Sequence, residues 1–590
     1  MKTLIYIIVL SVFAGILGAC NNEFMERYPT TAVTPENFFS TPADLETYSN
    51  GFYGQLSLKY NDLGSDNISH YNSGTTTIER VMRGEIDPTT VGDWNWGDLR
   101  NINFMLENAR KVSGEAGEIN HYMGIARFFR AWFYYEKVKT YGNVPWYPRT
   151  IQTDDEDLLY KAQDPREVVV DSILADLDFA VEHIRSDQHN TQVSKWAALS
   201  LLARVALQEG TYRKYHTELG LDDATSFLQK AATAAQTIME EGGYSLDPDY
   251  GSLFRSVNLS GSRETILFVD YDKDLDKRHN SQTVFDYEYA LSRSLVDTYL
   301  KKSDGKPFTS VPDNEEATLH EIFNDRDPRL MNTVMQPGFT IPGSSNPYRM
   351  KPFLGGYIQI KFFPPGEDHI GWDLTYTDLP VFRYAETLLI YAEAKAELGT
   401  LTQEDLDKSV NLLRQRVEMP AMDLATVQSE MDPVLEQRYF NVTGPQKGAI
   451  LEIRRERRVE LACEGFRLGD LMRWKLGKLL EKEPEGMYVE GLGAMDVTGD
   501  GVDDIAILES SDKTGPIDGL PNKDDLSLYF LKDDSGKLTS FYLEFGDHGH
   551  IRFTRNLDLS KKFIEPKYYY LPISETQMLL NPNLEQSIGW

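Results

Sequence analysis

Apolar and polar positions follow two rhythms along this chain, and the rhythm changes at definable points. Between residues 97 and 243, apolar side chains return every three or four positions, the period of a helix with one buried face. "GDLRNINFMLENARKV" and "INHYMGIARFFRAWFYYEKVKTYG" form a first helical pair, with Gly142 as the stop. "PREVVVDSILADLDFAVEHI" and "SKWAALSLLARVALQEG" form a second, with Pro165 suited to a first turn and Gly210 ending the partner. "DATSFLQKAATAAQTIMEEGG" is a further helix. The period returns in "RYAETLLIYAEAKAELG", "QEDLDKSVNLLRQRV" and "ILEIRRERRVELACEGFRLGDLMRWKLG". From about 246 to 378 it gives way to Pro, Gly and Ser clusters with short strands such as "ETILFVDYD", and the segment after 480 is again loop- and strand-like.

The fold class expected is mostly α. Antiparallel helix pairs with Ala at close contacts predict a tetratricopeptide-like scaffold, with long irregular loops and a few short strands. The helical blocks are placed at 46–245 and 379–480. The irregular segment 246–378 lies on the ligand side, and the loop and strand region runs from 481 to 590. Loops on a rigid scaffold are where binding usually resides.

The N-terminus has a different pattern. "MKTLIYIIVLSVFAGILGAC" opens with Lys2, runs apolar from Leu4 to Leu17 and ends in small residues before Cys20. About 20 apolar residues are needed to cross a bilayer core, so this run is too short. It fits a cleaved signal over 1–19. Leu17-Gly18-Ala19-Cys20 looks like a bacterial lipobox, which makes Cys20 the lipidation site and 20–45 an extended leader. The alternative is an ordinary signal with an incidental cysteine.

Composition narrows the partners. The formal charge is −31, and removal of Lys2 with the signal makes it −32. So acidic a surface argues against nucleic acid. Beyond Cys20 only Cys463 remains, so no intrachain disulfide is available. Most of the 32 Tyr and 8 Trp must lie in the core, but a surplus of them is also what a sugar-binding surface uses, because an aromatic face packs on the apolar face of a sugar ring.

Candidate chemistry is sparse. The arginines of "IRRERRVELACEG" interleave with Glu452, Glu456, Glu460 and Glu464. Glu452–Arg455 and Arg457–Glu460 fall at i,i+3, so the run reads as knitting helical repeats together. "DVTGDGVDD" places Asp496, Thr498, Asp500, Val502 and Asp504 at alternate positions, as in a calcium loop. Thr498 and Ile507 depart from the EF-hand pattern, which leaves Ca²⁺ and a plain acidic β-turn as rival readings. No nucleophile, zinc or phosphate-loop motif is evident, and no carboxylate pair stands out as a glycosidase site. Aromatics in polar, Gly-rich surroundings are the better lead. Tyr71, Trp94, Trp372 and Tyr376 are candidates for a glycan site. Trp96 belongs to the same stretch, although its spacing to Leu99 favours packing.

"YGNVPWYPR", "VVDSILADLDFAVEHI", "SKWAALSLLARVALQEGTYRKYH", "FRYAETLLIYAEAKAELG", "IRRERRVELACEGFRLGDLMRWK" and the ending "YYYLPISETQMLLNPNLEQSIGW" together resemble the SusD/RagB family of Bacteroidetes outer-membrane lipoproteins. The resemblance covers nearly the whole mature chain. It implies a non-catalytic surface lipoprotein that binds oligosaccharide, or in some members peptide, and caps a SusC-type TonB-dependent transporter. A surface glycoside hydrolase is the remaining rival. In the family's founding starch binder, aromatics and polar groups of the early loop region help to form the site, and the resemblance implies that Tyr71, Trp94 and Asp66, the last to orient hydroxyls, fall in the comparable stretch here, although the family's shared motifs are structural and align none of them residue by residue.

Overall fold

The computed structural model describes residues 38–590 apart from 57–58, 72–75, 93, 288 and 558–561, and the side chains of His70 and Tyr71 also fall outside it. Cys20 and the leader up to residue 37 therefore lie outside the described residues. The architecture is mostly helical, as expected. Helices α1 (Pro42–Ser49), α2 (Gly97–Ala109), α3 (Ala116–Tyr141), α4 (Arg166–His183), α5 (Lys195–Tyr215) and α6 (Ala224–Glu241) form the first block. The second holds α7 (Tyr384–Glu397), α8 (Val410–Arg416), α9 (Lys447–Glu460) and α10 (Arg467–Arg473). Neighbours pack in series: α2 on α3, α3 on α4, α4 on α5, α5 on α6, α6 on α7 and α7 on α9. Each helix buries one face on the helix before and another on the helix after, which is the logic of a stacked solenoid.

Glycines separate two uses that sequence reading merges. Gly142 ends α3 with φ +78, as expected. Gly210 does not end α5, which continues to Tyr215. A Cβ at Gly210 would lie 2.9 Å from Leu228 Cγ, so this glycine lets α6 approach. Two expected single helices are broken. The helix over 403–417 divides at Ser409, whose hydroxyl donates to the Asp405 carbonyl at 2.5 Å. The long C-terminal one divides between α9 and α10, where Cys463 (φ +66) and Gly465 (φ +78) turn the chain.

Among the described residues, four small sheets stand beside the helices. Strand β1 (Ile68–Tyr71) pairs antiparallel with β3 (Tyr289–Leu291), Tyr71 opposite Tyr289. Strand β2 (Thr265–Val269) pairs with β4 (Leu379–Arg383), which leads straight into α7. In the last segment β5 (Tyr488–Val489) and β9 (Phe541–Leu543) flank β10 (Gly549–Phe553). There β6 (Gly493–Met495), β7 (Ile505–Leu508) and β8 (Ser527–Phe530) form a further sheet. The helices enclose one apolar core, around Phe128, Leu201 and Leu388. A second core, around Tyr299, Ile358 and Ile551, lies under the irregular segments.

Buried charge joins the two. Glu460, at the end of α9, has no solvent exposure and accepts hydrogen bonds from Arg329 (2.9 Å), Arg383 (2.7 Å) and Arg416 (2.6 Å). Arg383 also donates to Glu264 (2.9 Å) and Glu464 (2.7 Å), and Glu464 accepts from the buried Lys361 (2.8 Å). Burial alone would push the Glu460 carboxyl up, but the guanidiniums of Arg416, Arg383 and Arg329 outweigh it and hold it well below the usual range. The arginine-rich run thus ties segments together. Arg455 pairs with Glu452 at i,i+3 (3.0 Å), but Arg457 turns to Asp470 (2.8 Å) instead of Glu460. Arg454 stacks on Trp474 at 4.2 Å and reaches Glu397.

Candidate functional site

Large apolar side chains left in water need a reason when they adjoin each other. Trp372 is 64% exposed and Tyr287 51%, and their ring centroids are 6.2 Å apart at an interplanar angle of 63°. They come from different loops of the irregular segment. Tyr287 lies two residues before β3, and Asp286 ahead of it has φ +53, so the chain turns before the strand begins. The β1–β3 register sets the end of β1, at Tyr71, beside this approach.

The Trp372 turn is pinned to the loop that leads to Tyr287. His279 and Thr375 exchange backbone hydrogen bonds at 2.8 and 3.2 Å, and the Asp373 amide donates to Asn280 Oδ1 at 3.2 Å. Burial lowers the His279 pKa to about 4. Its ring is therefore neutral, with Nε2–H donating to the Thr377 carbonyl at 2.8 Å. Tyr376 stacks on His369 at 3.9 Å and donates to Asp368 at 2.7 Å. The result is two exposed aromatic rings set on hydrogen-bonded loops.

The other expected site residues are placed elsewhere. Trp94 and Trp96 are half-buried against the helical core. Trp96 meets Tyr147 edge-on at 5.2 Å, and Trp94 meets Trp96 at 5.2 Å and Tyr141 at 4.9 Å. Among the described residues, no ring contact joins this group to Tyr287 or Trp372. Asp66 lies in the turn before β1, on a cleft of about 230 Å³ that Ser69, Ser292 and Lys482 also line. Its carboxylate accepts from Arg467 at 2.7 and 2.9 Å and from Arg438 at 2.6 Å. Burial raises its pKa, and Arg467, Arg458 and Arg438 together pull it far below the usual carboxylate range. The oxygens expected to orient sugar hydroxyls are thus engaged by guanidiniums. Tyr71's side chain lies outside the described residues.

Residues 496–504 form the turn of the antiparallel β6–β7 pair. Asp496 accepts from the amides of Thr498 (3.0 Å), Gly499 (2.6 Å) and Gly501 (2.8 Å), with Gly499 and Gly501 at positive φ. Asp500 accepts from Val502 at 2.9 Å. Asp504 accepts from Val497 and Thr498 and pairs with Arg349 at 3.3 Å. Among the described residues no group of three or more His, Cys, Asp or Glu is placed to hold a metal. The carboxylates close the turn on its own amides.

Tyr287 was not among the residues singled out from sequence. Alternation in "DYEYA" puts Tyr287 and Tyr289 in phase, yet Tyr289 is 2% exposed. Tyr287 belongs to the turn at Asp286, whereas Tyr289 opens β3.

Comparison with known proteins gives a single answer at several levels. Residues 263–590 match the family model described as the SusD family, and 43–207 match one described as "Starch-binding associating with outer membrane". A SusD-like protein (P2) of Formosa agariphila is 24% identical over 511 residues, covering 80% of this chain and 91% of the relative. A crystal structure of a SusD-like protein from Bacteroides fragilis superposes with TM-score 0.66 at 19% identity, over 96% of this chain and 100% of that one. A structure titled as a laminarin-binding SusD-like protein gives TM-score 0.58 at 17% identity, over 94% and 100%. With a tetratricopeptide-like helical frame, a family match over more than half its length and SusD-like relatives along most of it, this chain belongs to the SusD family.

Proposed function

We propose that this protein is a non-catalytic oligosaccharide-capturing lipoprotein of the outer membrane, held by Cys20 and delivering its ligand to a SusC-type TonB-dependent transporter. The observation that carries the reading is the exposed Tyr287–Trp372 pair. Two rings on loops fixed by the His279–Thr375 bonds offer a platform for the apolar face of a sugar. The family's "starch-binding" description and the laminarin-binding neighbour support a glycan over a peptide.

Replacement of Trp372 by Ala is the test. Calorimetry against amylopectin and laminarin should show at least about a tenfold loss of affinity, equal to about 1.4 kcal/mol. The melting temperature should stay within about a degree, because an exposed side chain contributes little to the core. Retained affinity would remove this pair from the site, and release of reducing ends would overturn the non-catalytic part.

The anchor rests on the lipobox. Cys20→Ala should move the protein from the membrane fraction to the soluble one. Retention of that variant on membranes of cells lacking the transporter would mean that the lipid is not the anchor.

A further inference from the structure

The loops that carry Tyr287 and Trp372 have an unbalanced charge. Segments 272–287 and 366–376 contain seven carboxylates and three Lys or Arg. The cations nearby are mostly committed. Lys273 pairs with Asp368 at 3.1 Å, Arg278 with Asp276 at 3.4 Å, and Lys351 reaches in to Asp286 at 2.6 Å. Lys277 lies 5.5 Å from the Tyr271 ring centroid. Asp274, Glu367 and Asp373 are exposed and have no cation partner among the described residues.

A ligand stacked on Trp372 therefore meets a surplus of negative charge next to the ring. Asp373 follows Trp372 directly, and Asp368 is joined to the same turn through Tyr376. A neutral sugar meets no electrostatic penalty there. A uronate or a sulfate ester brings a like charge to the same loops. At low ionic strength that repulsion acts over about 30 Å, and at physiological salt over about 8 Å.

We infer that the Tyr287–Trp372 platform selects uncharged glycans and rejects those bearing uronate or sulfate. The inference rests on the reading that this platform binds glycan, and it adds the ligand class. Charge exclusion of this kind works by penalising the wrong ligand, with no added contact to the right one.

The test uses the purified mature chain with amylopectin, laminarin, galactomannan and xyloglucan. The polymer that binds is then carboxymethylated, so that backbone and linkage stay the same and only charge is added. Affinity is measured at about 20 mM and about 500 mM NaCl. The native protein should bind the carboxymethylated form about tenfold more weakly at low salt and within about threefold at high salt. Binding of the neutral form should change by less than about twofold across that range. The double variant Asp274→Asn, Glu367→Gln should narrow the low-salt gap and leave neutral binding unchanged. Equal binding of both forms at low salt, with Trp372→Ala abolishing both, would overturn the inference while leaving the platform in place. A gap that persists at high salt would assign rejection to bulk and overturn it also. Neutral binding that survives Trp372→Ala would sink the platform reading, and the inference with it.

Discussion

Glu460→Ala should destabilise the protein by about 4 kcal/mol, the range for breaking a buried ion pair by removing one partner. Three buried guanidiniums, of Arg329, Arg383 and Arg416, converge on this carboxylate, and all three would lose a charged acceptor away from water. The effect has a pH signature whose sign follows from the depressed carboxyl. Folded, Glu460 titrates well below the ordinary glutamate value of 4.5. Its contribution is therefore full above about pH 4.5 and is lost as pH falls toward the folded value. Denaturant unfolding at pH 7 and at pH 4 should show a smaller variant-to-native difference at the lower pH. A loss under about 1 kcal/mol at pH 7 would mean that the arginines repair their contacts with Glu264 and Glu464.

Trp94→Ala is expected to cost about 2 kcal/mol of stability and to leave glycan affinity unchanged. Core tryptophan truncation costs about 3–5 kcal/mol, and a half-buried ring falls below that range. Its edge-to-face contacts with Trp96 and Tyr141 add a specific term. From sequence this residue was a leading glycan candidate. A thermal melt beside calorimetry separates the roles: a stable variant with weakened binding would return Trp94 to the site. Trp372→Ala should behave in the opposite way, so the pair forms an internal control.

The contrast shows what was legible in the sequence. The helices were readable because a 3.6-residue period is a local property that survives without tertiary knowledge. Their ends were less so. Gly142 and Gly210 look alike in sequence, and only the approach of Leu228 tells a packing glycine from a stop. Among the exposed rings Trp372 was found, because a tryptophan between Gly371 and Asp373 has no apolar neighbours in sequence to cover it. Trp94 has equally polar neighbours, yet Tyr141 covers it from 47 residues away in the chain. Asp66 shows the same effect, since its carboxylate is paired with Arg438 and Arg467, 372 and 401 residues away in sequence. Long-range partners, invisible to local pattern, decided which aromatic and acidic groups remained available.

The ion cluster also bears on the entropy of capture. Strand β4 ends at Arg383, inside the cluster, and the chain just ahead of β4 is the turn that presents Trp372. Thr375 and Thr377, between that turn and the strand, are both fully buried. The platform is thus hung from one of the most constrained points of the molecule. For a sugar bound there as proposed, the loops are already pinned, and little binding free energy is lost in freezing them. For a protein whose proposed task is to take up and pass on ligand repeatedly, such preorganisation lets modest contacts suffice and keeps the complex easy to dissolve.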